Sequence, residues 1–490
     1  MIQELRRNPV LNRRRAGVLL HPTALPGAFG KLGASARAFM DTLADAGMTV
    51  WQTLPLGPPH PDLSPYQALS AHAGNPLMID LEELVPAGLL KTEELGALTR
   101  TEATTRASQR FQSGHYTPCE VFTPETFHHF VTRHRWLDDF ALFMTAREAF
   151  PGMGWVDWPD QLRDREPAAL DALRASHRST LDRVIFEQYL FFSQWGQVRQ
   201  YARARGIWLF GDIPIFVAHN SADVWANPQL YKLDGDGNPR VVAGVPPDYF
   251  SPEGQHWGNP LFDWHRMAED GYRWWIERLA SQQECFDLLR IDHFRGFQAF
   301  WEIPADTPQP TRGYWVPGPA DHFLEACLRE LPGLPLVAEN LGIIGEDVEA
   351  LRHRFQLPGM TVMQFGFDGN PDNPHLLHNH REMNLVYTGT HDNDTTLGWY
   401  RSLDERTRWH VDQYLRIQGQ EMPWALIQAA MGSVSRLVMV PAQDLLALGS
   451  IARFNTPGTS RDNWRWALPV NYREQVNLSG LKSMVSLYGR

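Results

Sequence analysis

Eight short β-rich runs, each passing into polar or glycine residues in its second half, set the limits on what this chain can fold into. They are GVLLHP (17–22), MTVWQTLPL (48–56), GIWLFGDIPIFV (206–217), FDLLRIDHF (286–294), PLVAEN (335–340), MTVMQFGF (360–367), NLVYTGTHD (384–392) and RLVMVPAQD (436–444). Helix-like stretches such as ASARAFMDTLADAG (34–47) and GYRWWIERLASQ (271–282) lie between most of them. Nearly continuous apolar strands that alternate with helices predict a parallel sheet covered on both faces, and eight of them predict a closed (β/α)8 barrel. A doubly wound open sheet is the alternative.

The whole chain, 1–490, reads as one barrel domain with insertions. Residues 57–205, between the second and third runs, exceed the needs of one crossover helix. They are rich in Ala, Leu, Arg and Glu at helical spacing, which predicts a mostly helical inserted subdomain. Residues 218–265 are dense in Pro, Gly, Asn and Trp and read as an ordered lid loop over one face. Residues 445–490 leave no room for a terminal β-sandwich of about 100 residues.

Composition excludes several function classes. Lys and Arg total 45 against 56 Asp and Glu, a net charge of -11 that repels a phosphate backbone, so nucleic acid is not the expected partner. No apolar run reaches the roughly 18 residues of a membrane span. The basic start, with Arg6, Arg7 and Arg13 to Arg15, is followed by only a short apolar stretch, Ala16 to Leu20, which does not read as a secretion signal. Three scattered cysteines, Cys119, Cys285 and Cys327, fit a reducing compartment, and the cytoplasm is expected.

The fourth run, LLRIDHFRG, carries the chemistry. Side chains alternate along a strand, so Arg290 and Asp292 share one face while Ile291 takes the other. With Ile291 packed against helices, the two charged groups point inward at the carboxyl end, where barrel enzymes place their sites. The same placement holds for Glu339 on the fifth strand and Asp392 on the seventh. Any one of these acids reads equally as an ion pair or a helix cap; three together point to a site. Neighbouring strands about 4.8 Å apart suit the carboxyl separation of about 5 to 5.5 Å in retaining glycoside chemistry. Arg290 favours an ionised Asp292, and an apolar surround would raise the pKa of Glu339.

At RIDHFRG, VAENLG and YTGTHDNDT the sequence resembles the 4-α-glucanotransferases called amylomaltases or disproportionating enzymes, relatives of the α-amylase clan. The resemblance extends to GVLLHPTALPG (17–27), SPYQALSAHAGNPLMIDL (64–81), GDIPIFVAHNSADVW (211–225), VAGVPPDYFSPEGQHWGNPLFDW (242–264) and ARFNTPGT (452–459). It implies that Asp292 is the nucleophile, Glu339 the general acid/base and Asp392 a transition-state stabiliser. It further implies that Asp212, Arg290 and His391 bind sugar hydroxyls, that Tyr66 and Asn455 contact substrate, and that Tyr249, Phe250 and Trp257 belong to an active-site lid. The expected substrates are maltooligosaccharides, amylose or glycogen-derived α-glucans, with no cofactor and no metal. The chain departs from the family pattern at His60 to Leu63, where Pro61 replaces an aromatic thought to hold long glucans, and at Asn340, where many relatives carry Asp. An α-glucan hydrolase would use the same acids, and a non-catalytic glucan-binding protein remains a further alternative.

Other motifs read more plainly. DGDGN (234–238) lacks the order and the Glu of a calcium loop and reads as a turn. His375, His378 and His380 form a cluster whose family counterparts need no metal. GAFGKLG (27–33) lacks both the dinucleotide fingerprint and the P-loop Lys.

Overall fold

The computed structural model describes residues 8–28, 30–247, 252–417, 421–459 and 461–490. Its strands are β1 (Arg15–Leu19), β2 (Val50–Gln52), β3 (Trp208–Ile213), β4 (Val241–Val245), β5 (Gln255–Pro260), β6 (Leu288–Ile291), β7 (Ala299–Pro304), β8 (Tyr314–Pro317), β9 (Leu336–Ala338), β10 (Gly359–Val362), β11 (Asn384–Tyr387) and β12 (Leu437–Pro441). Each of the eight runs contains one strand of a single parallel sheet ordered β10-β11-β12-β1-β2-β3-β6-β9. The sheet curls until its ends meet, giving the (β/α)8 barrel.

Alternation along these strands sorts the core in two. Val50, Phe210, Leu288, Val337, Met360, Leu385 and Leu437 form one buried cluster inside the barrel, with Val10 and Leu11 packed into it. Their neighbours Leu209, Leu289, Ile291, Leu336, Ala338 and Val386 belong to the surrounding core beneath the helices. Two residues beyond an inward Phe210, Leu288 or Val337 comes Asp212, Arg290 or Glu339. The pleat therefore stacks a charged layer on an apolar one.

Closure between β9 and β10 rests partly on side-chain chemistry. The Ala338 N–H donates to the Pro358 carbonyl at 2.9 Å. Just beyond, Asn340 Oδ1 accepts the Met360 N–H at 2.8 Å while its Nδ2 donates to Glu349 Oε1 at 2.7 Å. Gly359 lets the strands approach this closely, since a Cβ there would lie 2.8 Å from Asn340 Oδ1.

Between β2 and β3 the chain forms helices Arg100–Gln112, Pro124–Arg133, Trp136–Ala149, Pro167–Ser176 and Arg178–Ala204. The last holds the preceding loop with two amide clamps: the Gln188 side chain bonds both N–H and C=O of Gly74, and that of Gln194 does the same for Asp80. Each clamp satisfies a donor and an acceptor that burial would otherwise leave unpaired.

The segment expected as an ordered lid loop also contains regular strands. It holds β4 and β5, which join β7 and β8 in an antiparallel sheet ordered β5-β4-β7-β8. Two excursions, one after β3 and one after β6, thus pair with each other. Pro and Gly at the strand ends hid these short strands. DGDGN is a turn in which Asp234 Oδ1 accepts the N–H groups of Asp236 and Asn238. After β12 the described residues form short helices and Leu478–Leu487. No described helix is long and apolar enough to cross a membrane.

Replacing Asn340 with Ala would leave the Met360 N–H and the Glu349 carboxylate short of a partner at the barrel seam. The expected loss is about 1 to 3 kcal/mol. Equilibrium urea unfolding should show a lower midpoint with an unchanged slope.

Candidate active site

A cavity of about 380 Å³ opens at the carboxyl ends of the barrel strands, and Asp292, Glu339 and Asp392 all line it. The deepest layer is ionic. Arg290 lies between two carboxylates: Nη1 donates to both oxygens of Asp212 at 2.8 and 2.7 Å, and Nη2 lies 2.7 Å from Asp292 Oδ1. The Asp212 side chain is 0% exposed, whereas Asp292 keeps 28% of its side-chain surface open. Asp212 is therefore spent on Arg290 and on the Tyr66 hydroxyl, which donates to it at 2.8 Å. Asp212, for which the resemblance implied a sugar-binding role, thus anchors Arg290 and Tyr66 and is not among the residues that line the cavity.

Asp292 and Glu339 are tied together through the backbone. After β6 the chain reverses at His293, whose φ of 52° lies in the left-handed region. This turn directs the His293 N–H at Glu339 Oε2, 2.7 Å away, while the Leu341 N–H bonds Oε1 at 2.6 Å. Burial nevertheless dominates and pushes the Glu339 carboxyl up to about 7; the Asp292 charge adds to the rise, and Arg290 and the two N–H groups oppose it. Burial also raises Asp292, with the Arg290 guanidinium the largest opposing influence. Of this pair, Asp292 touches the guanidinium and Glu339 is enclosed by backbone.

Asp392 occupies a more polar corner. Its Oδ1 accepts from Asn455 Nδ2 at 2.6 Å and its Oδ2 lies 3.3 Å from His391 Nε2. The His391 ring stacks on Tyr66 at 5.1 Å between centroids, which joins this corner to Asp212 and Arg290. The loop carrying His391 and Asp392 is pinned by Asp444, a buried acid that accepts from Thr388 Oγ1 at 2.9 Å, Thr396 N at 2.8 Å and Thr396 Oγ1 at 2.6 Å. Nothing in the sequence distinguished Asp444 from a helix cap.

The aromatic walls agree only in part with the expectation. Trp257 lies on β5, not on a free loop, and meets the His293 ring edge-on at 4.9 Å. Tyr249 and Phe250 lie outside the described residues. Trp464 was missed: its indole sits 6.0 Å from both Tyr66 and His391. Its signal was the pair of indoles in NWRW (463–466), close behind ARFNTPGT in a Pro/Gly-rich stretch. The three clustered histidines act structurally. His375 Nδ1 accepts the Val362 N–H, His378 bonds Tyr414 and the Pro371 carbonyl, and His380 bonds Ser433 and the His375 carbonyl.

A (β/α)8 barrel whose strand ends bring carboxyl groups of unlike surroundings around one cleft is the framework of a carbohydrate-active enzyme. This chain belongs to the 4-alpha-glucanotransferase family, whose pattern matches residues 20–471. It is 46% identical over 480 residues to the 4-alpha-glucanotransferase of Thermus thermophilus, covering 93% of this chain and 95% of that one. The chloroplastic/amyloplastic 4-alpha-glucanotransferase of Solanum tuberosum is 41% identical over 502 residues, covering 98% of this chain and 87% of that one. The amylomaltase from Streptococcus agalactiae in complex with acarbose superposes with a TM-score of 0.91 at 33% identity, covering 98% of this chain and 100% of that one.

Replacing Arg290 with Met would strand the buried Asp212 charge and destabilise the fold by about 3 to 5 kcal/mol. Adding Asp212→Asn should recover much of that loss in denaturant titrations. Because Arg290 lowers the pKa of Glu339, the double variant's residual activity should persist to higher pH than the parent's.

Proposed function

We propose that the enzyme transfers segments of α-1,4-glucan to the 4-hydroxyl of glucose or maltooligosaccharide acceptors by a retaining double displacement, with maltooligosaccharides, amylose or glycogen-derived glucans as donors. The Asp292 carboxylate attacks the anomeric carbon while Glu339 gives its proton to the glycosidic oxygen, releasing the reducing-end segment. The glucan is then held as an ester on Asp292. Glu339, now ionised, takes the proton from an incoming 4-hydroxyl, whose oxygen displaces Asp292 with net retention. Asp392 faces the positive charge that develops on the donor ring, and Arg290 and His391 lie where they can meet sugar hydroxyls.

The observation that carries this reading is the unlike surroundings of two acids on adjacent strands: Asp292 beside a guanidinium, Glu339 enclosed by backbone and pushed up to about 7 by burial. Transfer requires that a sugar outcompete water at the ester. Trp257 and Trp464 on the cavity walls offer apolar faces that favour a sugar ring over solvent.

With maltotriose the product mixture should contain glucose and longer chains at a constant number of reducing ends; a rising number would identify a hydrolase. The first step needs a protonated Glu339, so its rate should fall as pH rises through about 7. A glycosyl fluoride needs little help from an acid to leave. Glu339→Gln given α-maltotriosyl fluoride should therefore accumulate a covalent adduct, located on Asp292 by peptide mass spectrometry. Label on another residue, or none with an active parent, would overturn the assignment.

A further inference from the structure

Of the large apolar side chains that stand exposed among the described residues, Trp315 at 37% and Ile343 at 47% also line the cavity. Most large indoles near the barrel behave otherwise: Trp51, Trp195, Trp225 and Trp275 are fully buried. Trp315 lies on β8, the edge strand of the small sheet, directly opposite Trp301, with the two rings edge-to-face at 5.0 Å. Trp301 is itself fixed by donating Nε1–H to the Pro310 carbonyl at 2.8 Å. The Arg295 guanidinium lies 3.8 Å from the centre of the Trp315 ring. It is tethered in turn to the Ile343 carbonyl. The indole is thus locked from one face and one edge while over a third of its surface stays open. An aromatic held rigid and left wet gives up little conformational freedom on binding.

Its position relative to the acids gives it a direction. Ile343 lies four residues beyond Glu339, and Leu341 and Ile343 continue the cavity wall from that acid to Arg295 and Trp315. In a double displacement the acid/base faces the departing oxygen and later the incoming hydroxyl, so the wall beside it receives the acceptor. Tyr66, His391 and Trp464 instead gather around Asp212 and Asp392.

We propose that Trp315, clamped by Arg295 and Trp301, is an acceptor-side platform on which rings of a maltooligosaccharide beyond the first one stack, so that it sets the preference for longer acceptors. The inference rests on the glucan-transfer reading above. A sugar ring presents a face of C–H groups to an indole, and an offset contact of this kind is worth on the order of 1 kcal/mol, or about a fivefold to tenfold effect.

The test loads the enzyme from α-maltotriosyl fluoride, which leaves no glucan on the acceptor side, and compares glucose with maltotriose as acceptor. In Trp315→Ala the ratio of kcat/KM for maltotriose over glucose should fall about fivefold to tenfold. Trp315→Phe, which keeps an aromatic face and the packing on Trp301, should retain most of the parent ratio and serves if the Ala variant does not fold. An unchanged ratio would overturn the proposal, whether both acceptors keep their rates or both lose them together. If the parent enzyme transfers to neither acceptor and only releases free maltotriose, the glucan-transfer reading fails first, and the platform falls with it.

Discussion

The site depends on one guanidinium held out of water between two carboxylates. An isolated charge at such depth would carry a desolvation penalty of several kcal/mol, so Arg290, Asp212 and Asp292 are mutually required. The arrangement is not symmetric. Asp212 is sealed and serves to satisfy Arg290, while Asp292 shares the same cation but faces the cleft. Packing one acid away leaves the other open to the cleft and oriented by the same cation. The Tyr66 hydroxyl and the ring stack with His391 extend that order across the barrel mouth to Asp392.

Glu339 shows how environment separates chemically similar groups. It and Asp292 end neighbouring strands and are joined through the His293 turn, yet only Asp292 touches the cation. Enclosure by the barrel end outweighs two backbone N–H bonds that favour the charged form. The apolar layer of Phe210, Leu288 and Val337 lies one inward step below the charged residues of the same strands.

Much of this was legible in the sequence because strand periodicity is local. All eight barrel strands, and the inward turn of Arg290 and Asp292 against the outward Ile291, follow from alternation that any reader of the chain can mark. What stayed hidden is non-local. β4 pairs not only with β5 but with β7, which arrives only after β6, so neither excursion announces the four-stranded sheet alone. That Asp212 sits behind the wall depends on where Arg290 and Tyr66 reach, and that Asp444 pins the Asp392 loop depends on two threonines far from it in sequence. Nothing local separates Trp464 and Trp315 from a core indole, since an indole's exposure is decided by neighbours the sequence does not name.

The antiparallel sheet over the mouth is stitched from two loops of the barrel, with Trp257 on β5 at one side and Trp315 on β8 at the other. Its two halves therefore share one hydrogen-bonded ladder and cannot diverge independently. Any attempt to graft the roof of one homologue onto another must carry both excursions as a matched set, because a chimera that exchanges a single half would present mismatched strands where the substrate enters.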